Sequence, residues 1–253
     1  MHLPHLRGAH HDWLIDAGPA RDYDRVLLPY LRARGVNRLD GLVLTHGDAA
    51  HIGGASGVLL DFQPRQLIGT MAQARSSLHR KFVELVTAGK RTLRPLQAGD
   101  EFKLAPEITA RVLFPPAVFQ GERADDQALV VQLIVSGRSR ALLMSNSGAE
   151  TERGLLRNYP DLRADILIKG QHHSGDSGTP EFLDRLQPEA IVATSRDFPE
   201  SERLKPEWID VVRSRGIKLF RQDETGAMQI RLFSERWEAT SYVTGETFRS
   251  ARR

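Results

Sequence analysis

Three side chains that can bind a metal lie within six residues of one predicted loop. They are His46, Asp48 and His51, in the run Thr45-His46-Gly47-Asp48-Ala49-Ala50-His51-Ile52-Gly53-Gly54. Neutral imidazole and ionised carboxylate groups suit a catalytic divalent ion. Such an ion lowers the pKa of its bound water and polarises a phosphoryl or carbonyl oxygen. Taken alone, this spacing is weak evidence for a hydrolytic metal centre, because a polar loop that binds no metal can have the same residues. Together with the preceding strand and the following Ile52-Gly53-Gly54, it is a strong signal for the fold.

The glycines of this loop are predicted to be supporting residues. Ligands so close in sequence can converge only on a tight loop, because neither a helix nor a strand would bring all three together. Gly47, Gly53 and Gly54 are expected to let the backbone take the required turns, since glycine has no Cβ.

Alternating apolar patterns describe the elements that must position the loop. A strand at 39–45, apolar throughout its middle, is predicted to be buried on both faces. It follows a strand at 13–16 and a helix at 24–34. The buried face of that helix is predicted to consist of Val26, Leu27, Tyr30 and Leu31.

After Gly89 the pattern changes from helical to alternating, which predicts a second sheet. Antiparallel strands are expected at 102–104, 110–114, 129–135 and 141–145, and helices at 149–158, 180–186 and 206–215. The fold class is therefore α/β. We expect a single domain over 1–253, made of two sheet-plus-helix halves at roughly 12–100 and 101–243 that stack as a four-layered αββα sandwich.

Composition restricts the chemistry. The 253 residues include no cysteine, which excludes disulfides and thiolate ligands. A metal must then be held by His, Asp or Glu, which suits zinc, manganese or iron. No apolar run approaches about 18 residues, so no membrane span is predicted and a soluble domain is expected. The net charge of +3 is compatible with an anionic substrate without requiring one.

Several motifs, in order along the chain, resemble those of the metallo-β-lactamase superfamily. They are Leu14-Ile15-Asp16-Ala17-Gly18, the loop 45–54, and the segments 141–147 and 169–174. The segments 39–46, 171–173 and 179–183 are similar to the C-terminal domain of the ComEC family of bacterial DNA uptake (competence) proteins. This resemblance covers nearly the whole chain. It implies the sandwich fold. It also implies a metal-dependent phosphodiesterase or nuclease activity, which would degrade the DNA strand that is not taken up into the cell.

The resemblance also implies roles for single residues. His46, Asp48 and His51 match metal ligands, and one of His172 and His173 matches a late ligand. Asp16 matches a buried aspartate that supports the loop. The remaining predictions are Asp48 and Asn146 as catalytic residues, and Lys169 and Ser174 as substrate-binding residues.

The chain departs from the family pattern at the second metal position. Ala50 stands where the family has an aspartate that binds this metal and orients the attacking water, and a methyl group can do neither. The family's Thr-Gly-Asp reads Met144-Ser145-Asn146, which keeps an oxygen donor but loses its charge. Three protein ligands and water can still hold one ion. We therefore expect one zinc or manganese ion, or none, and hydrolysis by a metal-bound hydroxide if the centre is active.

The chain also looks shortened at its beginning relative to the family. Only twelve residues precede the first predicted strand, where the family usually has a further strand pair. The strand at 13–16 would then be an unpaired sheet edge, or something else would cover it.

Two functions from different classes stay open, besides a weaker alternative, a relative of β-lactamases or thioesterases, for which the sequence has no obvious acyl-substrate feature. The first is a hydrolase that cleaves single-stranded DNA. The second is a pseudoenzyme that keeps the fold and binds DNA or a partner of the competence machinery. In the resembled family the domain is attached to an inner-membrane channel, which is the expected partner and location.

Overall fold

The computed structural model describes residues 5–8, 11–70, 76–118, 125–172, 177–196, 200 and 203–250. The chain divides into two compact units. Unit 1 comprises Met1–Pro106 and Val112–Leu129, and unit 2 comprises Glu107–Arg111 and Val130–Arg253. That 1–253 forms one domain stays a prediction. No helix within the described ranges is long and apolar enough to cross a bilayer.

Unit 1 is built on a five-stranded sheet with the order β1-β2-β3-β4-β5. Its strands are β1 His5–Gly8, β2 His11–Ile15, β3 Gly41–Leu44, β4 Gln66–Thr70 and β5 Arg94–Leu96. Unit 1 also contains β6 Glu101–Ala105, which does not belong to this sheet. β1 and β2 are antiparallel, whereas β2 to β5 are parallel. The helices are α1 Ala20–Asp22, a π-helix Tyr23–Leu27, α2 Leu28–Ala33, α3 Ala49–Ile52, α4 Ala55–Phe62, α5 Ser77–Ala88 and a 3₁₀ turn Asp125–Gln127.

Strand β1 shows whether β2 is an unpaired edge of the sheet or is covered, the two alternatives expected from the sequence. It pairs with β2 from His5 opposite Leu14 to Gly8 opposite His11. The first strand predicted from the sequence is therefore covered rather than unpaired.

The predicted buried face of the first helix is wrong for two of its four residues. Leu27 and Leu31 are buried, but Val26 is 47% exposed and Tyr30 is 44% exposed. The cause is the π-helical segment, because its wider turn takes positions three apart off the common face. The buried side chains Tyr23, Leu27 and Leu31 are instead spaced four apart.

A tryptophan fixes the two strands that lead into the loop. Trp13 on β2 lies opposite Gly41 on β3, and its ring occupies the space that a Cβ at Gly41 would need, only 2.1 Å away. Its indole N–H donates to the carbonyl of Leu104 at 3.1 Å. Gly41 is required here by close approach of a side chain.

In unit 2 the larger sheet has the order β12-β11-β10-β9-β8, continuing to β7. Its strands are β7 Ile108–Phe114 (residues 108–111 belong to this unit), β8 Val130–Val135, β9 Arg138–Leu143, β10 Ile166–Lys169, β11 Ala190–Ala193 and β12 Lys218–Arg221. β8 and β9 are antiparallel as predicted, and β9 to β12 are parallel. The smaller sheet consists of β13 Met228–Leu232, β14 Trp237–Ser241 and β15 Thr247–Arg249.

The helices of unit 2 agree closely with the pattern in the sequence. They are α6 Ala149–Asn158, α7 Pro180–Leu186, α8 Pro206–Ser214 and α9 Gln222–Thr225. Because β9 and β10 are parallel neighbours, their carboxyl ends share one edge of the sheet. The segments that follow these ends carry Asn146 and His172.

Candidate metal centre

Asp16 begins the site at the carboxyl end of β2. Its φ of 61° lies in the left-handed region, which is uncommon for a residue other than glycine. Its backbone N–H donates to the carbonyl of Val43 at 2.7 Å. Because β2 and β3 run parallel, this turn places the Asp16 carboxylate beside Thr45, at the end of β3.

Hydrogen bonds engage both oxygens of the buried Asp16 carboxylate. Oδ1 accepts from the backbone N–H of Thr45 at 2.8 Å, and Oδ2 accepts from the Thr45 hydroxyl at 2.8 Å and from Nδ1 of His51 at 2.8 Å. Burial by itself would raise the pKa of Asp16, but the charge and hydrogen bond of His51 outweigh it and lower the pKa. Asp16 is thus an ionised support for the loop.

Thr45 determines the tautomer of His46. Its single hydroxyl proton goes to Asp16, so its oxygen accepts from Nδ1 of His46, 2.8 Å away. Burial, and then the charge of His51, lower the pKa of His46 to about 4. His46 is therefore neutral at physiological pH, with its proton on Nδ1 and a lone pair on Nε2, as a metal ligand requires.

Nε2 of His46 fits a bound cation. It is buried and has no hydrogen-bond partner within the described part of the chain. A carboxylate oxygen, Oδ1 of Asp125, lies 3.6 Å away. Leaving a buried nitrogen unpaired is unfavourable, and a divalent ion is the partner that an imidazole lone pair beside carboxylates would bind.

His51 lies on α3, the helix that Asp48 caps by accepting from the N–H of Ala50 at 3.3 Å. Its ring centroid is 4.0 Å from that of His46. Burial would lower the pKa of His51, but the negative charge and hydrogen bond of Asp16 dominate and raise it. Since Nδ1 of His51 is bound to Asp16, Nε2 would be its metal-binding atom.

Among the described residues, two overlapping groups of side chains have potential ligand atoms within 4.8 Å of one another. They are Asp16 with His46 and His51, and His46 with Asp48 and Asp125. Both lie in unit 1. Asp125 was not predicted from the sequence, since it belongs to no motif and sits in a short 3₁₀ turn. The sequence feature that could have indicated it is the pair Asp125-Asp126, shortly before the buried strand β8. The N–H of Leu129 donates to the carbonyl of Thr45 at 2.8 Å, which ties this segment to the loop.

The described late candidates lie in unit 2. A Cβ on Gly170 would fall 2.0 Å from Oδ1 of Asn146, and one on Gly148 would fall 2.8 Å from the ring of His172. Backbone of the neighbouring segments thus packs closely on both side chains. His173 and Ser174 lie outside the described residues. The metal-binding role of His172 and the catalytic role of Asn146 stay predictions.

Lys169 is a buried residue, unlike a typical phosphate-binding lysine. Its ammonium lies 4.8 Å from the centroid of the Trp208 ring. Burial lowers the pKa of Lys169 to about 8, and the negative charge of Glu152 only partly opposes this. Its predicted contact with substrate stays a prediction.

The glycines of the loop support it differently from what the sequence suggested. Neither Gly53 nor Gly54 has a positive φ, their values being −55° and −84°. A Cβ on Gly53 would lie 2.3 Å from the backbone nitrogen of Ala20, and one on Gly54 would lie 2.4 Å from the carbonyl oxygen of Ala17. Both glycines are needed because another backbone segment packs directly against them.

Comparison with known proteins agrees with the fold described above. Residues 8–131 match the family model of the metallo-beta-lactamase superfamily. The structure is similar to the metallo-beta-lactamase fold protein YhfI from Bacillus subtilis, with a TM-score of 0.56 and 14% identity over 85% of each chain. The chain therefore has the metallo-β-lactamase fold, as predicted.

Two curated relatives show which group of proteins within this fold the chain resembles. Over 90% of this chain, it is 25% identical to ComE operon protein 3 of Bacillus subtilis (strain 168) and 27% identical to competence protein ComA of Neisseria gonorrhoeae. The chain spans about 30% of the length of each. The resemblance to ComEC-type competence proteins is confirmed.

Proposed function

We propose that this domain is a metal-dependent phosphodiesterase that cleaves single-stranded DNA, and that it serves a DNA uptake channel of the ComEC type. The observation that carries the proposal is the buried Nε2 of His46, which has no hydrogen-bond partner among the described residues and lies next to Asp125 in a group that also contains Asp48. The similarity to competence proteins supports DNA as the substrate and a membrane channel as the partner.

The loop residues and Asp16 would have different roles in this reaction. His46 and Asp48 hold the ion, which when bound polarises a phosphoryl oxygen and lowers the pKa of water. Asp16 and Thr45 keep the His46 proton on Nδ1, so that Nε2 faces the ion. Zinc and manganese both suit this mixed nitrogen and oxygen donor set.

A second candidate function follows from Ala50 and Asn146. These residues stand where the family has carboxylates for a second ion, and their loss favours a domain that binds DNA or a partner without cleaving it. Such a domain would bind single-stranded DNA equally well after chelation of metal.

The test uses the full 253-residue chain, stripped of metal and then supplied with Mn²⁺ or Zn²⁺. We expect cleavage of a single-stranded oligonucleotide that requires the ion and is abolished in His46→Gln. His79→Gln, on α5, is the matched control and should cleave like the wild type. DNA binding without any metal-dependent cleavage, unchanged in His46→Gln, would favour the second function instead.

A further inference from the structure

We propose that Asp125 is a ligand of the ion, so that unit 1 holds one cation between His46, Asp48 and Asp125. This inference rests on the proposed function only in requiring that a divalent ion binds. It adds a ligand that no motif of the sequence indicated.

The alternative position for the ion is the group of Asp16, His46 and His51, but there the Asp16 carboxylate already has hydrogen-bond partners. The Asp16 oxygens accept hydrogen bonds from Thr45 and His51. A cation bound by Asp16 would have to break these bonds inside a buried cluster. The ion therefore belongs at the other nitrogen of His46, where Nε2 approaches Asp125.

The separation of His46 and Asp125 fits two ligands of one ion. Nε2 and Oδ1 are 3.6 Å apart, which is too long for a good hydrogen bond. Ligand atoms about 2.0–2.2 Å from a tetrahedral ion lie roughly 3.3–3.6 Å from each other. The two atoms are thus already placed as if a cation joined them.

The count of charges supports a single ion. Two carboxylates, Asp48 and Asp125, match the charge of one divalent cation, and their oxygens are grouped with a ring nitrogen of His46. Ala50 offers no carboxylate, and the charge of Asp16 is already paired with His51. Asp125 thus supplies a second carboxylate, beside Asp48, to the single centre.

Binding of Mn²⁺ to the metal-free chain, followed by electron paramagnetic resonance, tests the proposal without an activity assay. We expect about one ion per chain, and an affinity reduced by more than about a hundredfold in Asp125→Asn, beyond the usual effect of losing a second-shell partner. The matched control is the adjacent Asp126→Asn, which should bind within about threefold of the wild type.

A second variant places a spectroscopic label at the same position. Because the chain has no cysteine, Asp125→Cys introduces its only thiolate. After loading with Co²⁺, we expect a sulfur-to-cobalt charge-transfer band in the near ultraviolet, and no such band in Asp126→Cys.

The outcomes separate this inference from the proposed function. Equal Mn²⁺ affinity in Asp125→Asn and wild type, or a Co²⁺-loaded Asp125→Cys protein without the band, overturns the role of Asp125 even if DNA is cleaved. Conversely, loss of binding in Asp125→Asn with no DNA cleavage by the loaded wild type supports the ligand and refutes the phosphodiesterase. A melting temperature of metal-free Asp125→Asn close to that of the wild type shows that the variant still folds.

Discussion

Nδ1 of His51 lies 2.8 Å from Oδ2 of Asp16, and both side chains are buried. Burial disfavours the charged form of each side chain, but the negative charge of Asp16 stabilises the positive charge of His51, and the reverse also holds. The pKa of His51 is consequently raised and that of Asp16 lowered. This pair joins the turn after β2 to helix α3, and the hydrogen bonds from Thr45 to Asp16 connect the same turn to the start of the loop 45–54.

Replacing Asp16 with asparagine should destabilise the metal-free protein by about 3 kcal/mol, because a buried imidazole would lose its charged partner. The contribution of a raised histidine pKa is fully present below about pH 6.5 and is lost as pH rises through the folded pKa. That of a lowered aspartate pKa is present above about pH 4 and is lost as pH falls through the folded pKa. The deficit of Asp16→Asn should therefore be largest between about pH 4 and 6.5.

Urea denaturation with chelator at several pH values measures this difference. Asp22→Asn is a suitable control, since this carboxylate on α1 forms a 3.9 Å surface ion pair with Arg21, and such pairs contribute little to stability. A deficit for Asp16→Asn that does not vary with pH would contradict the assigned ion pair.

Thr45→Val should weaken metal binding by about 10–100-fold, the usual effect of losing a second-shell partner. Valine has nearly the shape of threonine but lacks the hydroxyl, so it cannot hold the His46 proton on Nδ1. Thr45→Ser keeps the hydroxyl and should recover most of the affinity. Calorimetric titration with Zn²⁺ checks both variants, and equal affinities for Thr45→Val and Thr45→Ser would show that the tautomer is set elsewhere.

Gly53→Ala should lower the free energy of unfolding by about 2 kcal/mol or more, because the added methyl would lie 2.3 Å from the backbone nitrogen of Ala20. Backbone atoms cannot move aside as a flexible side chain can. Gly89→Ala, at the end of α5, meets nothing closer than 3.5 Å and has a φ of −77°. It should change stability by less than about 1 kcal/mol. Thermal denaturation of the two variants side by side provides the measurement.

Lys169 makes stability depend on pH in the alkaline range. Its pKa is about 8 in the folded chain, against an ordinary value of 10.5. Between these values the unfolded chain binds a proton that the folded chain does not, so stability should rise with pH from about 8 to 10.5. Below about pH 8 the full penalty of burying the ammonium is present.

Lys169→Met should remove that rise and stabilise the protein at pH 7 by on the order of 1–3 kcal/mol. Lys218→Met is the control, since Lys218 is paired with Glu246 at the surface and its removal should have an effect below about 1 kcal/mol. Denaturant unfolding at pH 7, 9 and 10 gives both quantities. If the free energy of unfolding of Lys169→Met still rose with pH as in the wild type, a group other than Lys169 would be responsible for the rise.

The long, strongly patterned elements could be predicted from the sequence. Helices α6 and α7 begin and end at the predicted residues, and the strand before the loop was placed to within two residues at its start. Each of these elements has several apolar side chains in a regular period, followed by a clear stop. The loop itself was recognisable because its candidate ligands and its glycines are close together in sequence.

What the sequence did not provide was contact between distant segments. Asp125 lies 79 residues after His46, and only folding of the 3₁₀ turn against the loop makes it a candidate ligand. The reason for Gly53 was also hidden, since the segment that crowds it is the turn before α1. The π-helical segment after α1 was missed because its wider turn has no signal distinct from an ordinary helix.

Strand β1 has a practical consequence for shortened versions of the chain. A fragment starting at His11 would leave the backbone N–H and C=O groups on the outer side of β2 without partners. Another molecule could then add a strand there, as in β-augmentation. Fragments designed for solution work should therefore retain residues 5–8, or self-association through β2 would be mistaken for native assembly.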